Sequence, residues 1–322
     1  KEERALTFID TPGHEAFTVM RSRGAKVADI AIIVVAADDG VKPQTEEVIQ
    51  IVKAAKLPFV VAINKIDKEG ADVQRTKTDL SKHGVIAEEW GGDVPMIEIS
   101  AKQKLNIDGL LDVLLLVADM HQETIQADPT LPVMGTIIES HVDKNTGPVA
   151  TVLIQVGTLK KNDSLVLNGE LYGKVRAMKD YKGLDLTAAG PSVPAQIIGF
   201  KVAPEVGDVL DLRAIGDAVK IDVKQKKNQQ TGAQKYNVIS KTEEEGKEAK
   251  KTLNLVIRAD VLGSLEAIIG ELEKLQFEYV GVKIIGKGLG YITEDDVHKA
   301  EATPDARLVG FHVKPSPSAE EI

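Results

Sequence analysis

Asp10-Thr11-Pro12-Gly13-His14 is the first stretch of the sequence whose residue types and spacing could do chemistry. A carboxylate such as that of Asp10 can hold Mg²⁺ through a water molecule. A glycine lets a backbone N–H approach a terminal phosphate, because no Cβ blocks the way. The neighbouring histidine could orient a water molecule against that phosphate. Asp-x-x-Gly alone is equally consistent with an ordinary corner between a strand and a helix, so the rest of the chain must decide.

A second polar stretch, Asn64-Lys65-Ile66-Asp67, has the residue types that recognise a guanine base. The carboxylate of Asp67 could accept hydrogen bonds from both N1–H and the exocyclic N2–H₂ of guanine. Adenine offers no such donor pair, and leaving the acceptors unpaired would reject it. Asn64 is expected to brace the loop, and Lys65 to lay its aliphatic stem across the base.

A third stretch, Ser100-Ala101-Lys102, could add a backbone N–H to the guanine O6. Taken alone this tripeptide carries little information. In this order, however, the three stretches together indicate a guanine-nucleotide site. The ligands it predicts are GTP or GDP with Mg²⁺, the metal being held by Asp10 through water.

The elements that must position these residues alternate between strands and helices. Continuous apolar runs predict strands that are buried on both faces of a parallel sheet, whose ligands sit beyond the carboxyl ends of the strands. Asp10, Asn64 and Ser100 are each predicted to follow such a strand end. The predicted strands are residues 5–9, 31–36, 58–63 and 96–99, and the predicted helices begin near residues 15, 43 and 107.

Composition sets wider limits on the function. The 322 residues are enough for two or three domains, and the net charge of −9 argues against a diffuse, charge-driven nucleic-acid binder. Without cysteine there is no disulfide, thiolate zinc site or cysteine nucleophile, which favours a cytoplasmic protein. We expect no membrane span and no metal site built from protein ligands alone. Because the sequence begins with Lys1, almost directly on a predicted strand, we expect an internal piece of a longer chain.

The motifs quoted above resemble those of the translational GTPases, and further stretches resemble one branch of them, the bacterial translation initiation factor two family. The resemblance extends over nearly the whole chain. Those further stretches are Glu15-Ala16-Phe17, residues 35–41 with Pro43-Gln44-Thr45, residues 88–93, residues 259–264 and residues 292–297. Residues 147–151, 157–159 and 204–208 resemble the second domain of translation factors in general.

The resemblance implies a GTPase of protein synthesis in which His14 orients the attacking water and the backbone N–H of Gly13 contacts the γ-phosphate. It also implies binding to the ribosome and its RNA: the small subunit through the second and third domains, and the large subunit through the GTPase domain. The family's C-terminal domain, which holds initiator formylmethionyl-tRNA, has no counterpart here. No Gly-x₄-Gly-Lys-Ser/Thr phosphate loop occurs either, so the isolated 322-residue polypeptide is expected to be inactive.

The fold class predicted is an α/β GTPase domain with an incomplete parallel sheet, a small antiparallel β-barrel, a linker and a compact α/β/α domain. Residues 286–290, a glycine-rich run, are predicted to form a plain turn, because the Lys-Ser/Thr of a phosphate loop is missing. The predicted limits are residues 1–127 for the GTP-binding domain, 128–213 for the barrel, 214–251 for a partly helical linker, 252–315 for the third domain and 316–322 for a tail.

Two alternative functions remain open from the sequence. One is another translational GTPase, an elongation or selenocysteine factor, although such factors carry a second barrel where this chain predicts a β-α-β-α-β unit. The other is a ribosome-binding scaffold that has lost catalysis. The sequence preceding Lys1 would distinguish an enzyme from a scaffold.

Overall fold

A computed structural model of the chain describes residues 4–143, 145–216, 218–221, 251–275 and 280–322. These residues form two compact units. One unit is Phe8–Gln126, and the other is Ala127–Ile322 together with the residues up to Thr7. Most of the predicted linker, residues 222–250, lies outside the described residues. None of the helices that the structure describes is long and apolar enough to cross a membrane.

The first unit is built on a three-stranded parallel sheet in the order β1-β2-β3. The central strand is apolar along most of its length, and Val60, Val61, Ala62 and Ile63 are fully buried. Successive residues of a strand point to opposite faces, so this strand contributes to one apolar core on each side of the sheet. The predicted parallel α/β domain is therefore confirmed. Its elements are β1 (Ala31–Ala36), β2 (Phe59–Asn64), β3 (Met96–Glu98), α1 (Thr18–Val27), α2 (Pro43–Ala54), α3 (Val73–Lys82), α4 (Ile107–Met120) and α5 (Gln122–Ile125), with 3₁₀ turns at Glu15–Phe17 and Glu88–Trp90.

The strand predicted at residues 5–9 is wrong. Residues 4–13 have no regular secondary structure, so Asp10 does not follow a strand end. A strand needs a neighbouring backbone to pair with, and among the described residues no strand pairs with this segment. Its apolar side chains are accordingly not buried: Phe8 is 62% exposed and Leu6 is 39% exposed.

In the second unit the residues after Ala127 first form an antiparallel barrel, as predicted. Six strands close a ring in the order β11-β5-β4-β12-β7-β8, because β8 also pairs with β11. The closure requires glycine: a Cβ on Gly199, whose φ is +144°, would lie 1.9 Å from the carbonyl oxygen of Lys174. The strands are β4 (Met134–Asp143), β5 (Gly147–Val156), β6 (Leu159–Lys160), β7 (Ser164–Leu167), β8 (Glu170–Lys179), β9 (Asp185–Leu186), β10 (Ala188–Ala189), β11 (Pro194–Phe200), β12 (Val209–Asp211) and β13 (Val219–Lys220), with a 3₁₀ helix at Leu212–Gly216.

The chain from residue 251 onward forms the predicted β-α-β-α-β unit. Its three strands are parallel in the order β15-β14-β16. The predicted capping box is present, with Thr293 and Asp296 closing the start of a helix. The predicted tail contains a short helix. The elements are β14 (Lys251–Ala259), α6 (Leu262–Lys274), β15 (Val280–Leu289), α7 (Glu294–Glu301), β16 (Ala306–Phe311) and α8 (Pro317–Glu320).

The turn predicted at residues 286–290 is also wrong, because residues 286–289 belong to β15. Gly286 pairs with Val256, and Gly288 pairs with Arg258 on the neighbouring strand. A Cβ on Gly288 would lie 2.2 Å from Nη1 of Arg258. Glycine is needed here so that the Arg258 side chain can cross the strand and reach Asp296, where two hydrogen bonds of 2.8 and 2.9 Å join the pair.

Candidate nucleotide site

Asn64 connects the loops that follow two neighbouring strands. It is the last residue of β2, and its Oδ1 accepts hydrogen bonds from the backbone N–H of Lys65 at 2.7 Å and of Ala101 at 3.0 Å. Lys65 takes a left-handed backbone conformation, with φ of 65°. The side chain of Asn64 thus fixes the sharp turn of the chain as it leaves β2. It also holds this turn against the loop that follows β3.

Ser100 makes the second connection between these loops. The residue is fully buried, and its hydroxyl donates to Oδ1 of Asp67 at 2.6 Å while accepting from the N–H of Gln103 at 3.1 Å. Asp67 itself is exposed. Because Ser100 engages one carboxylate oxygen, the orientation of the carboxylate is set while its other oxygen, Oδ2, stays available to a ligand.

The remaining residues of the three stretches surround this pair. Ile66 packs against the core on one face of the sheet, which anchors the loop between Asn64 and Asp67. Lys102 is exposed in the loop after β3. The Lys65 ammonium lies 3.8 Å from carboxylate oxygens of Asp38 and Asp39, so its stem runs along the surface of the site.

Asp38 adds a charged group that the sequence did not single out. It follows β1 and pairs with Lys68, and this hydrogen bond lowers the pKa of Asp38 from its ordinary value of 3.8. The carboxylate is therefore ionised at neutral pH. It pairs with Lys65 and Lys68, which lie on either side of Asp67 in the sequence.

The Asp10–His14 turn is held by Arg21, a buried side chain of α1. Its Nη1 donates to the carbonyl oxygens of Pro12 at 2.8 Å and of His14 at 2.7 Å. Its Nη2 binds both carboxylate oxygens of Glu47 on α2, at 2.9 and 2.8 Å. A single sequence gives no signal that distinguishes Arg21 from other basic residues of the same helix, so this contact could not be predicted.

His14 caps the 3₁₀ turn that follows it. Its Nδ1 accepts from the N–H of Ala16 at 3.1 Å, so the proton of a neutral ring lies on Nε2. The ring is exposed and meets the Phe17 ring edge-on, with the centroids 6.5 Å apart. His14 thus presents one nitrogen to solvent from a ring whose orientation is fixed.

Two residues of the turn, Asp10 and Gly13, have environments that fit a hydrated metal and a phosphate. Asp10 is exposed, and a Cβ on Gly13 would meet nothing within 4 Å, so the space beside this backbone is open. Thr11 packs its methyl group against α1 near Gly24. One exposed carboxylate suits Mg²⁺, which keeps several waters and is usually completed by substrate phosphates.

Three family models match successive parts of the sequence. Residues 1–120 match the model described as Elongation factor Tu GTP binding domain, and residues 132–212 match Elongation factor G domain 2. Residues 224–322 match Translation-initiation factor 2. Translation initiation factor IF-2 of Clostridium novyi is 46% identical over 321 residues, which cover 98% of this chain and 46% of that protein. The chain is homologous to translation initiation factor IF-2.

Other IF-2 proteins match to the same extent. The IF-2 of Caldicellulosiruptor saccharolyticus is 47% identical, with 99% of this chain and 37% of that protein covered. For Prochlorococcus marinus IF-2 the identity is 46%, with 100% and 29% covered. The chain thus spans less than half the length of these IF-2 relatives.

Solved structures show the same fold. The GDP-bound aIF5B from Aeropyrum pernix superposes with a TM-score of 0.54 at 24% identity, covering 98% of this chain and 58% of that one. The elongation factor SelB from Methanococcus maripaludis, in complex with the GTP analogue GppNHp, gives a TM-score of 0.50 at 25% identity. It covers 63% of this chain and 45% of that one.

Proposed function

We propose that this chain is the part of a GTP-hydrolysing initiation factor that recognises guanine and binds the ribosome. The observation that carries the proposal is the pair of side-chain bridges, from Asn64 to Ala101 and from Ser100 to Asp67. The second bridge holds one carboxylate oxygen of Asp67 and leaves the other available to accept from a base. This arrangement supports guanine over adenine, because only guanine offers adjacent N1–H and N2–H₂ donors.

Each proposed role rests on this chain's own residues. Asp67 accepts from the guanine, the stem of Lys65 covers its face, and the backbone around Ala101 donates to O6. Asp10 is the residue that would hold Mg²⁺ through water, and this ion would neutralise charge on the phosphates. Through Nε2, His14 orients the attacking water, while the N–H of Gly13 meets the γ-phosphate.

The proposed role of the whole protein follows from its similarity to translation initiation factor IF-2. The match of residues 224–322 to Translation-initiation factor 2 supports an initiation factor over an elongation or selenocysteine factor. We propose that the protein acts in the cytoplasm and promotes initiator tRNA placement and subunit joining. The barrel and the third domain would meet the small ribosomal subunit and its RNA, and the GTPase domain would meet the large subunit. Initiator formylmethionyl-tRNA would bind outside these 322 residues.

Base choice tests the proposal. In the gene product that carries this chain, Asp67→Asn is expected to shift preference from GTP toward xanthosine triphosphate, since xanthine has a carbonyl where guanine has its amine. Competition binding with both nucleotides measures the shift. Asp112→Asn makes the same change at an exposed site on α4 and serves as the control. A mutant that keeps the wild-type preference for GTP would refute the role of Asp67.

A further inference from the structure

The two carbonyl groups that Arg21 binds flank Gly13. The carbonyl of Pro12 precedes this glycine and the carbonyl of His14 follows it, and both accept from the same Nη1. Glycine has more backbone freedom than any other residue, and a Cβ added at Gly13 would meet nothing within 4 Å. The guanidinium therefore restricts a part of the turn that would otherwise be loose.

The other half of the guanidinium is fixed by Glu47. The carboxylate binds Nη2 through both oxygens, and the side chain of Arg21 is only 4% exposed. Nη2 also contacts the hydroxyl of Thr18 at 3.2 Å. Because the guanidinium is planar, fixing Nη2 against α2 also fixes the direction in which Nη1 points.

A lysine cannot replace this arrangement. An ammonium group is a compact point charge, whereas the guanidinium presents several donors in a rigid plane. Arg21 joins two carbonyl oxygens on one side to a carboxylate on the other. Charge alone is therefore insufficient, and the shape of the donor group is required.

We propose that Arg21 and Glu47 form a latch that positions the N–H of Gly13 and the ring of His14 for GTP hydrolysis. Neither latch residue belongs to the three stretches proposed to contact the nucleotide, so both are positioning residues. The inference rests on the proposed function, because it assigns the latch to the same hydrolytic site. It adds that the geometry of the catalytic turn depends on α2, whose Glu47 holds the latch closed.

The test compares three variants in the gene product that carries this chain. Arg21→Lys keeps the charge, and Glu47→Gln removes the carboxylate. Lys26→Gln alters an exposed basic residue of the same helix and is the control. The measurements are ribosome-stimulated GTP turnover, GTP affinity and amide hydrogen exchange over residues 13–17 without nucleotide.

We expect Arg21→Lys and Glu47→Gln to lower turnover about 10- to 100-fold, because a small misplacement of catalytic groups has effects of that size. GTP affinity should stay within about twofold, since most binding contacts lie elsewhere. The amides of Ala16 and Phe17, which bind the His14 ring and carbonyl, should exchange about tenfold faster. Lys26→Gln should match wild type in all three measurements.

Two results would overturn the latch. One is unchanged amide exchange in Arg21→Lys, which would mean that the turn holds its shape without the guanidinium. The other is an equal loss of affinity and turnover, which a general destabilisation of the domain would produce. If the wild-type protein bound no guanine nucleotide, the proposed function would fail, and the exchange measurement would still decide whether the latch holds the turn.

Discussion

Replacing Gly288 with alanine is expected to weaken the third domain by breaking a contact that lies across the sheet. Gly288 is paired directly with Arg258, and the new Cβ would lie 2.2 Å from Nη1, 2.8 Å from Cζ and 3.4 Å from Nε. The whole guanidinium must therefore move. That group is buried and is bound to Asp296 through both Nε and Nη2, so it cannot move without losing at least one of these hydrogen bonds.

The expected cost of Gly288→Ala is about 2.5 kcal/mol. Overpacking a filled site costs roughly 1–3 kcal/mol, and losing one charge-assisted hydrogen bond costs roughly 1.5–3 kcal/mol. The lower end of each range is appropriate, because a side chain relaxes more easily than backbone. A change of this size corresponds to roughly a sixtyfold shift in the opening equilibrium.

Hydrogen exchange of the paired amides of β14 and β15, measured in the whole chain, reports this opening without assuming a single unfolding transition. Gly281→Ala is the matched control, because it lies on the same strand and its new Cβ would meet nothing within 4 Å. Gly288→Ala should cost less stability in the Arg258→Met background than in the wild-type protein, because the obstructing guanidinium is gone. Equal exchange in Gly288→Ala and Gly281→Ala would refute the proposed clash.

Three further outcomes are expected. His14→Ala should leave GTP affinity within a few-fold and lower ribosome-stimulated turnover by about 10² or more; an equal loss of both would make His14 structural. Burial alone would raise the pKa of Asp296, but hydrogen bonds from Arg258 and Thr293 outweigh it and lower this pKa below 3.8. The stability that Asp296 contributes is thus present above pH 3.8 and lost as the pH falls through the lowered pKa. In hydrogen-exchange measurements, Asp296→Asn should therefore show a smaller loss of stability with falling pH than the wild type does. Lys77→Met removes a buried ammonium bound to two half-exposed glutamates, so it should cost only about 1 kcal/mol. Trp90, which follows Glu89 in the sequence, reports unfolding by its fluorescence, and a denaturant midpoint equal to that of the wild type would contradict the contact.

The parallel sheet could be predicted because its signal is local. A strand covered on both faces needs a continuous apolar run, and residues 60–63 have one and are fully buried. The polar residue that follows such a run must lie at the carboxyl edge of the sheet. For this reason Asn64 and Ser100 could be placed side by side, although no sequence pattern gives the hydrogen bond between Ser100 and Asp67.

The two wrong predictions have a common physical cause, since both depended on partners distant in the sequence. Residues 5–9 have strand composition, but composition supplies no neighbouring backbone to pair with. Residues 286–290 have the composition of a turn. However, Gly288 pairs with Arg258, which lies thirty residues earlier and needs the space that a side chain at position 288 would fill. Arg21 was missed for the same reason, because its function depends on Glu47, twenty-six residues away.

The two halves of the candidate site differ in how their geometry is maintained. On the base side, Asn64 and Ser100 bind the loops directly, so the carboxylate of Asp67 is oriented before any ligand arrives. On the phosphate side the turn contains Gly13, beside which an added Cβ would meet nothing within 4 Å, and Arg21 donates hydrogen bonds to the carbonyl oxygens on both sides of it. Preorganised groups lose little entropy on binding, so on the base side Asp67 is ready to bind a guanine base without further rearrangement. The phosphate side depends on the contact between Arg21 and Glu47 of α2, so in the proposed function hydrolysis is the step that a movement of this helix would control.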